Sequence, residues 1–285
     1  MFSGLLLGAG ATVLSGGALA QRAEPDPDQG VRGDVGRNSR FTQLVSAEQI
    51  EGAAAQQYLQ MKREAAGQRA LVEAKHPQVL RLRSIASRIV PFALPWNERA
   101  RQWQWEVNLL ASKELNAFCM PGGKIAFYYG ILQKLQLNDD EVASIMGHEV
   151  AHALREHARE RIGKSMATRG ALEIGAALFG LGDLGRLAAG MGSQLLSLKF
   201  GREDESEADI VGMDLAARAG YNPAAGVTLW QKMLGASKGS PPKWLSSHPS
   251  GESRIKDISD KLPKVQPLYS RAPRPPQRFE PPPAG

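Results

Sequence analysis

The spacing of apolar residues predicts a long amphipathic helix that begins just after Asn138. Apolar side chains recur at helical intervals, at Val142, Ile145, Met146, Val150, Ala153 and Leu154. Asn138 is a good N-cap residue, and Glu141 stands three residues later, where a capping-box glutamate belongs. Basic residues from Arg155 to Lys164 follow and suit the negative end of a helix dipole. We therefore expect one helix that continues past Arg155.

Apolar patterning elsewhere predicts a small sheet before this helix and further helices around it. The range 46–90 is typical of helices punctuated by prolines. Trp103 to Leu110 alternates as a strand does, and the range 115–129 predicts a strand pair broken by a turn at Pro121-Gly122-Gly123. Because the strands precede the helix without β-α-β alternation, we expect a mainly helical α+β fold with a small antiparallel sheet.

The two ends of the chain differ in composition from this core. Residues 1–20 carry no charged side chain and end in Ala18-Leu19-Ala20, which predicts a signal segment, with a short membrane anchor as the alternative. Residues 21–45 are polar and predict a flexible linker. Residues 263–285 are rich in proline and predict an extended, disordered tail. The folded domain is therefore expected over residues 46–262.

Composition narrows the classes of function. With 285 residues and 42% apolar residues, the chain can form one substantial domain. Its net charge is +6, but the basic residues are scattered among acids, so we expect no nucleic-acid partner. The single cysteine, Cys119, excludes an intrachain disulfide and a cysteine-rich zinc site. Residues 165–198 are rich in Gly, Ala and Leu but are interrupted by charges, which favours amphipathic helices over the cleft, with peripheral membrane contact as a further option.

The predicted helix after Asn138 carries the pattern H-E-x-x-H at residues 148–152. Positions i and i+4 share one face of a helix, so the imidazoles of His148 and His152 can bind one ion. Glu149 lies beside them, within reach of a water on that ion. The pattern predicts a zinc hydrolase, and the alternative is a helix with two histidines packed in the core or on the surface.

A catalytic zinc ion needs a third protein ligand. His157 lies five residues after His152, off the ligand face of a continuing helix, so we do not expect it to bind the metal. The acidic range 203–209 predicts a helix on which Glu205 and Asp209 share one face. Glu205 could bind the metal and Asp209 could accept the free N–H of a ligand imidazole. The neighbouring glutamates leave this register open, and an acid-rich start that only complements the helix dipole is the alternative.

These residues resemble the M48 zinc metallopeptidases. That family has H-E-x-x-H followed by E-x-x-x-D on a later helix, here at residues 148–152 and 205–209. The resemblance extends to Pro121-Gly122-Gly123-Lys124-Ile125, and to Ser247-His248-Pro249 with Glu252-Ser253-Arg254-Ile255. It covers roughly residues 75–262 and is strongest to the soluble periplasmic branch, similar to bacterial envelope quality-control peptidases and their mitochondrial inner-membrane counterpart.

The resemblance implies a zincin fold of the gluzincin type and a site that binds one Zn²⁺ ion. His148, His152 and Glu205 would be the ligands. Glu149 would be the general base, and Asp209 would accept a hydrogen bond from the ligand histidine nitrogen that faces away from the metal.

Further roles follow from the same resemblance. Arg254 would support the ligands, and His248 or Arg254 could stabilise the oxyanion. Alternatively, His248 could occupy the fourth zinc position and hold the enzyme latent. Asn116, Ala117 and Phe118 would form an edge strand that takes the substrate.

The implied function is that of an endopeptidase which cleaves unfolded or misassembled envelope proteins. The location would be the periplasm, or the periplasmic side of a membrane if residues 1–20 remain attached. A latent, chaperone-like assembly or quality-control factor, with zinc capped by His248, is the first alternative. A hydrolase of small amides or esters is the second, and it predicts an enclosed pocket instead of an open edge strand.

Overall fold

The computed structural model describes residues 28–177, 195, 198–236, 243–248 and 252–284. Short 3₁₀ helices lie at Arg32–Asp34, Arg40–Leu44, Val90–Phe92 and Glu98–Arg101. The strands are β1 (Glu106–Leu110), β2 (Ala117–Met120) and β3 (Lys124–Tyr128). The α-helices are α1 (Ala47–Gly67), α2 (Pro77–Ile89), α3 (Tyr129–Lys134), α4 (Asp139–Leu154), α5 (His157–Ala177), α6 (Arg202–Arg218), α7 (Ala225–Ala236), α8 (Lys243–Ser247) and α9 (Glu252–Arg271). The predicted α+β architecture, mainly helical with a small sheet, is confirmed.

The sheet is mixed, so the expectation of an antiparallel sheet was wrong. Its strand order is β1-β3-β2, with β1 parallel and β2 antiparallel to β3. The loop after β1 crosses the end of β3 to reach the far edge, and it passes directly over Gly130 at the start of α3. A Cβ at Gly130 would lie 2.4 Å from the carbonyl of Lys113, so this crossing requires glycine. Strand alternation identifies strands but does not encode this order.

Helix α4 begins as predicted and ends earlier than predicted. Asn138 and Glu141 form a reciprocal capping box. The helix stops at Leu154, and Glu156 adopts a left-handed backbone with a φ of 57° before α5 begins. The expected continuation past Arg155 was therefore wrong. The helix carries apolar residues on most of its surface and is buried in the middle of the main core.

Helices α4 and α6 touch backbone to backbone where Gly147 faces Gly212. A Cβ at Gly147 would lie 2.5 Å from the carbonyl oxygen of Gly212, and a Cβ at Gly212 would lie 2.5 Å from the nitrogen of His148. Gly147 directly precedes His148, and Gly212 lies seven residues, about two helical turns, after Glu205. The contact of the two glycines therefore sets how closely Glu205 approaches the H-E-x-x-H histidines.

The described part of the expected linker, residues 28–45, is packed onto the domain. Val31 is fully buried, and its N–H donates to Asp214 on α6. Val45 joins a small apolar cluster with Ile50 and Ile162. These buried apolar residues are few in a mostly polar segment, so composition alone did not reveal them. The expectation of a flexible linker there needs correction.

The Pro-rich end of the chain also differs from the expected disordered tail. Helix α9 continues through two prolines to Arg271 because Val265 and Leu268 extend its buried face. Beyond it, the N–H of Phe279 donates to Asp139 in the first turn of α4 at 2.9 Å. Residues 272–284 form neither helix nor strand, and they are attached to the helix that carries H-E-x-x-H.

Two expectations fall partly or wholly outside the described residues. The signal segment at 1–20 is outside them, and so is most of the stretch 178–197 within the range 165–198. The beginning of that range is helical as predicted, since α5 extends to Ala177. Among the helices of the described residues, none is both long and apolar enough to cross a membrane. The division of the chain into signal segment, domain and tail stays a prediction.

We predict that Gly212→Ala lowers the free energy of unfolding by about 1–3 kcal/mol, because the added methyl group must push α4 away from α6. The same displacement should weaken zinc binding. Urea unfolding and zinc titration measure the two effects. Gly52→Ala is the control: it lies in α1 with no atom near the new Cβ, so it should be neutral or raise stability by up to about 1 kcal/mol. Equal stability of the two variants would contradict a tight helix crossing.

Candidate metal centre

Four side chains from three parts of the chain converge beside the α4–α6 crossing. His148 and His152 come from α4, Glu205 from the first turn of α6, and His248 from the residue after α8. One potential ligand atom of each lies within 4.8 Å of those of the other three, and all four residues are buried. The Nε2 atoms of His148 and His152 are 3.1 Å apart, and each is 3.5 Å from an oxygen of Glu205. Glu205, the acid expected on the later helix, therefore lies beside both histidines.

Behind His148 lies a buried ion-pair network. Asp209 Oδ1 is 3.0 Å from His148 Nδ1, on the side of the ring that faces away from the cluster. Arg254 donates to both oxygens of Asp209 at 2.6 Å and to Glu205 Oε2 at 2.6 Å. Its guanidinium also stacks on the ring of Trp230, 3.9 Å from the centroid. Arg254 therefore binds both buried carboxylates at once through charged hydrogen bonds.

Behind His152 lies a second network that the sequence reasoning missed. His157 Nδ1 is 2.9 Å from His152 Nδ1, and His157 Nε2 is 2.8 Å from Glu207 Oε2. Arg155 donates to the other oxygen of Glu207 at 2.8 Å. His157 was not expected to bind the metal, and the assumption of a continuous helix also concealed its contact with His152. Its position five residues after His152 becomes informative only once the helix is known to break at Glu156.

Glu149 lies on the open side of the cluster. Its Oε1 accepts a hydrogen bond from the indole N–H of Trp244 at 2.6 Å and lies 3.5 Å from His248 Nε2. Trp244 is almost fully buried and lies between Trp230 and His248. No local pattern points to Trp244, because its contact with Glu149 joins residues 95 positions apart.

A cleft of about 230 Å³ runs from the cluster along the outer edge of β2. Its lining includes residues 116–121, Glu149 and His152 on one side and Leu198, Phe200 and His248 on the other. The ring of Phe200 stacks on His152 at 4.0 Å between centroids. Burial raises the pKa of Cys119 well above its ordinary value, which keeps this cleft cysteine a thiol and argues against a nucleophile.

The backbone of β2 determines which groups face the cleft. The N–H of Tyr128 donates to the carbonyl of Asn116, so that carbonyl faces β3 and is engaged in the sheet. Because orientation alternates along a strand, Ala117 and Cys119 direct their N–H and C=O groups toward the cleft. The expected edge of Asn116, Ala117 and Phe118 is thus in place, but its outward backbone groups are those of Ala117 and Cys119.

The acids and imidazoles of the cluster shift one another's pKa values. Burial lowers the pKa of His148, but hydrogen bonds with Asp209 and Glu205 outweigh it and raise the pKa to about 9. Burial and the charge of His148 hold the pKa of His152 well below its ordinary value. Burial raises the pKa of Glu205, but hydrogen bonds from His148 and His248 bring it below its ordinary value. The cluster thus combines an anionic carboxylate with an imidazole that stays neutral.

Comparison with known proteins places this site in a family. Residues 76–262 match the family model of peptidase family M48. The chain belongs to peptidase family M48. The matched M48 region contains the whole cluster, from the edge strand to Arg254.

Individual members of M48 are similar to this chain over part of their length. The mitochondrial metalloendopeptidase OMA1 of Schizosaccharomyces pombe is 32% identical over 194 residues, which are 67% of this chain and 55% of that protein. The metalloprotease LoiP of Escherichia coli is 29% identical over 154 residues, 53% of this chain and 60% of LoiP. The β-barrel assembly-enhancing protease of Escherichia coli is 27% identical over 170 residues, 56% of this chain and 35% of that protein. The chain therefore spans less than two-thirds of each of these relatives.

One role weighed for Arg254 does not agree with the structure. Arg254 is only 4% exposed and contacts Glu205 and Asp209 from behind the cluster, so it does not reach the cleft where an oxyanion would form. His248 does line that cleft. Of the two candidates for oxyanion stabilisation, His248 alone is suitably placed.

We predict that Arg254→Met lowers the free energy of unfolding of the metal-free protein by about 3–5 kcal/mol, because it leaves Glu205 and Asp209 buried without their cation. Lys256→Met is the control on the same helix. It removes an exposed pair with Asp260 whose side chains are 74% and 56% exposed, so the free energy of unfolding should stay close to that of the wild type. Urea unfolding compares them, and similar losses for both variants would contradict the role of Arg254.

Proposed function

We propose that this chain is a zinc-dependent endopeptidase of family M48 with the zincin fold of the gluzincin type. The observation that carries the proposal is the convergence of His148, His152 and Glu205 beside Glu149, in a cleft bordered by a strand edge. Each element has a counterpart in peptide hydrolysis: a metal site, a carboxylate that can move a proton, and a surface for an extended chain.

The donor set suits zinc. Zinc favours imidazole nitrogen and carboxylate oxygen, and a catalytic site has three protein ligands and one open position. His148, His152 and Glu205 provide two nitrogens and one carboxylate, and their mutual approach to 3.1–3.5 Å brings donor atoms together as a shared cation requires. A zinc ion bound there would polarise the scissile carbonyl and make a water nucleophilic at neutral pH.

The residues around the metal site can carry out the remaining steps. Glu149 takes the proton of the attacking water and passes it to the leaving amine. The indole N–H of Trp244 holds one oxygen of Glu149 and leaves the other for the water. His248 Nε2 faces the cleft near Glu149, where it can donate to the developing oxyanion.

The cleft supports recognition of an extended polypeptide. A substrate strand can pair with the outward backbone groups of Ala117 and Cys119, which places its next peptide bonds near Glu149. Binding of this kind depends on backbone more than on side chains, so it suits unfolded segments. The cleft is bordered by a strand edge, which a hydrolase for small amides or esters would not need.

The cellular role is proposed from the same features. Unfolded or misassembled envelope proteins are the proposed substrates, and one relative is named for enhancing β-barrel assembly. The uncharged residues 1–20 support export to the periplasm, or attachment to the periplasmic side of a membrane if they are retained.

The position of His248 favours the latent, chaperone-like alternative. His248 Nδ1 lies 3.3 Å from His148 Nε2 and 2.9 Å from Glu205 Oε1, within reach of the fourth position of a metal. The intact Glu149 in the cleft favours the peptidase. The two functions differ in whether the wild-type chain cleaves protein.

We predict that the wild-type chain binds one zinc ion and cleaves casein, an unfolded protein. Glu149→Gln should keep the zinc and lose about 10²- to 10⁴-fold in rate, because the proton acceptor is gone. Glu205→Ala should lose the zinc itself. Elemental analysis and gel-based cleavage measure both.

These measurements distinguish the peptidase from the latent alternative. Equal cleavage by wild type and Glu149→Gln would exclude the proposed peptidase mechanism, and unchanged zinc in Glu205→Ala would exclude Glu205 as a ligand. A zinc-loaded wild type without cleavage, together with an active His248→Ala variant, would support the latent alternative.

A further inference from the structure

Each ligand imidazole of α4 has a hydrogen-bond partner on the nitrogen that faces away from the metal site. For His148 the partner is the carboxylate of Asp209, and for His152 it is the imidazole of His157. We propose that His157 and Glu207 are positioning residues that fix the ring of His152 and so determine how long it retains a metal. This rests on the proposed function, because it takes His152 to be a zinc ligand.

The hydrogen bonds allow one arrangement of protons. The Nε2 atom of His152 faces the metal site, so its Nδ1 carries the proton. His157 Nδ1, 2.9 Å away, must then be an acceptor, and its own proton lies on Nε2. That proton is donated to Glu207 Oε2 at 2.8 Å. Because a carboxylate only accepts, the direction of the whole relay is fixed by Glu207.

The relay is built like the network behind His148. Each ends at a carboxylate of α6, Asp209 or Glu207, and each carboxylate is paired with an arginine, Arg254 or Arg155. His157 is 1% exposed, so this contact is part of the interior. Buried polar chains with every donor and acceptor matched hold their rings in one orientation. The imidazole of His157 lets Glu207 support His152 at Nδ1, whereas Glu205 of the same helix approaches that ring only at Nε2.

The break between α4 and α5 makes this contact possible. A continuous helix would carry position 157 away from the ligand face of His152. The left-handed backbone of Glu156, with a φ of 57°, redirects the chain so that His157 returns to His152. The N-terminal segment supports this break, since Arg155 donates to the carbonyl of Gly36 at 2.6 Å and Asn38 donates to Glu156 at 3.0 Å.

The test measures the rate at which zinc leaves the full chain in excess chelator. His157→Phe keeps a ring but removes the acceptor, and we expect zinc to leave about 10- to 100-fold faster. Glu207→Gln should accelerate release less, because an amide oxygen can still accept from His157. Glu203→Gln, at an exposed position on the same helix, is the matched control and should release zinc at the wild-type rate.

A second measurement detects the tautomers directly. The chain has five histidines, so long-range ¹H–¹⁵N spectra of the zinc-loaded wild type can assign each ring. We expect the proton of His152 on Nδ1 and that of His157 on Nε2. A purely structural role of His157 would not require this order.

Wild-type rates of zinc release in both His157→Phe and Glu207→Gln would overturn the proposed positioning role, and so would an Nδ1–H tautomer of His157. If His157→Phe does not fold, Glu207→Gln and the wild-type tautomers decide. A wild-type chain that binds no zinc would instead overturn the proposed function on which the inference rests.

Discussion

The direct contact of α4 and α6 at Gly147 and Gly212 is the constraint on which the site depends. No side chain separates the two helices there, so the backbone of α6 lies against the nitrogen of His148. A carboxylate side chain is short, and Glu205 can reach a metal held by two histidines of α4 only if the helices are this close. The distance between Glu205 and the two histidines is therefore set first by the packing of two glycines.

This close approach has an electrostatic cost that the surrounding residues compensate. Helix α6 carries several buried acids, and three of its acids lie in the networks behind the histidines: Glu205, Glu207 and Asp209. Arg254 neutralises two of them and Arg155 the third, in each case with hydrogen bonds in good geometry. The arginines stabilise the acids in the absence of a metal, and the acids in turn hold the imidazoles in place. Packing, charge and ligand orientation are thus properties of one interface.

Local signals account for what could be predicted from the sequence. The capping box of Asn138 and Glu141 and the i, i+4 spacing on α4 and α6 depend on helical geometry alone. The start of α4 and the position of Glu205 near its two histidines could therefore be predicted. The partners of the ligands depend on contacts between distant segments. The break at Glu156, the stacking of Phe200 on His152 and the bond from Trp244 to Glu149 have no periodic signature. The parallel pairing of β1 with β3 was missed for the same reason, since it depends on a loop crossing at Gly130.

The order of the site residues along the chain has a consequence for biosynthesis. His148 and Arg254 lie 106 residues apart, and His248 also comes late in the sequence. A chain that is still being synthesised or translocated presents its H-E-x-x-H segment long before the arginine that neutralises the acids of α6 has emerged. Closing so long a loop costs conformational entropy, which the contacts it brings together must offset. The buried ion pairs around the proposed metal site can therefore form only once the whole range from His148 to Arg254 is available to fold.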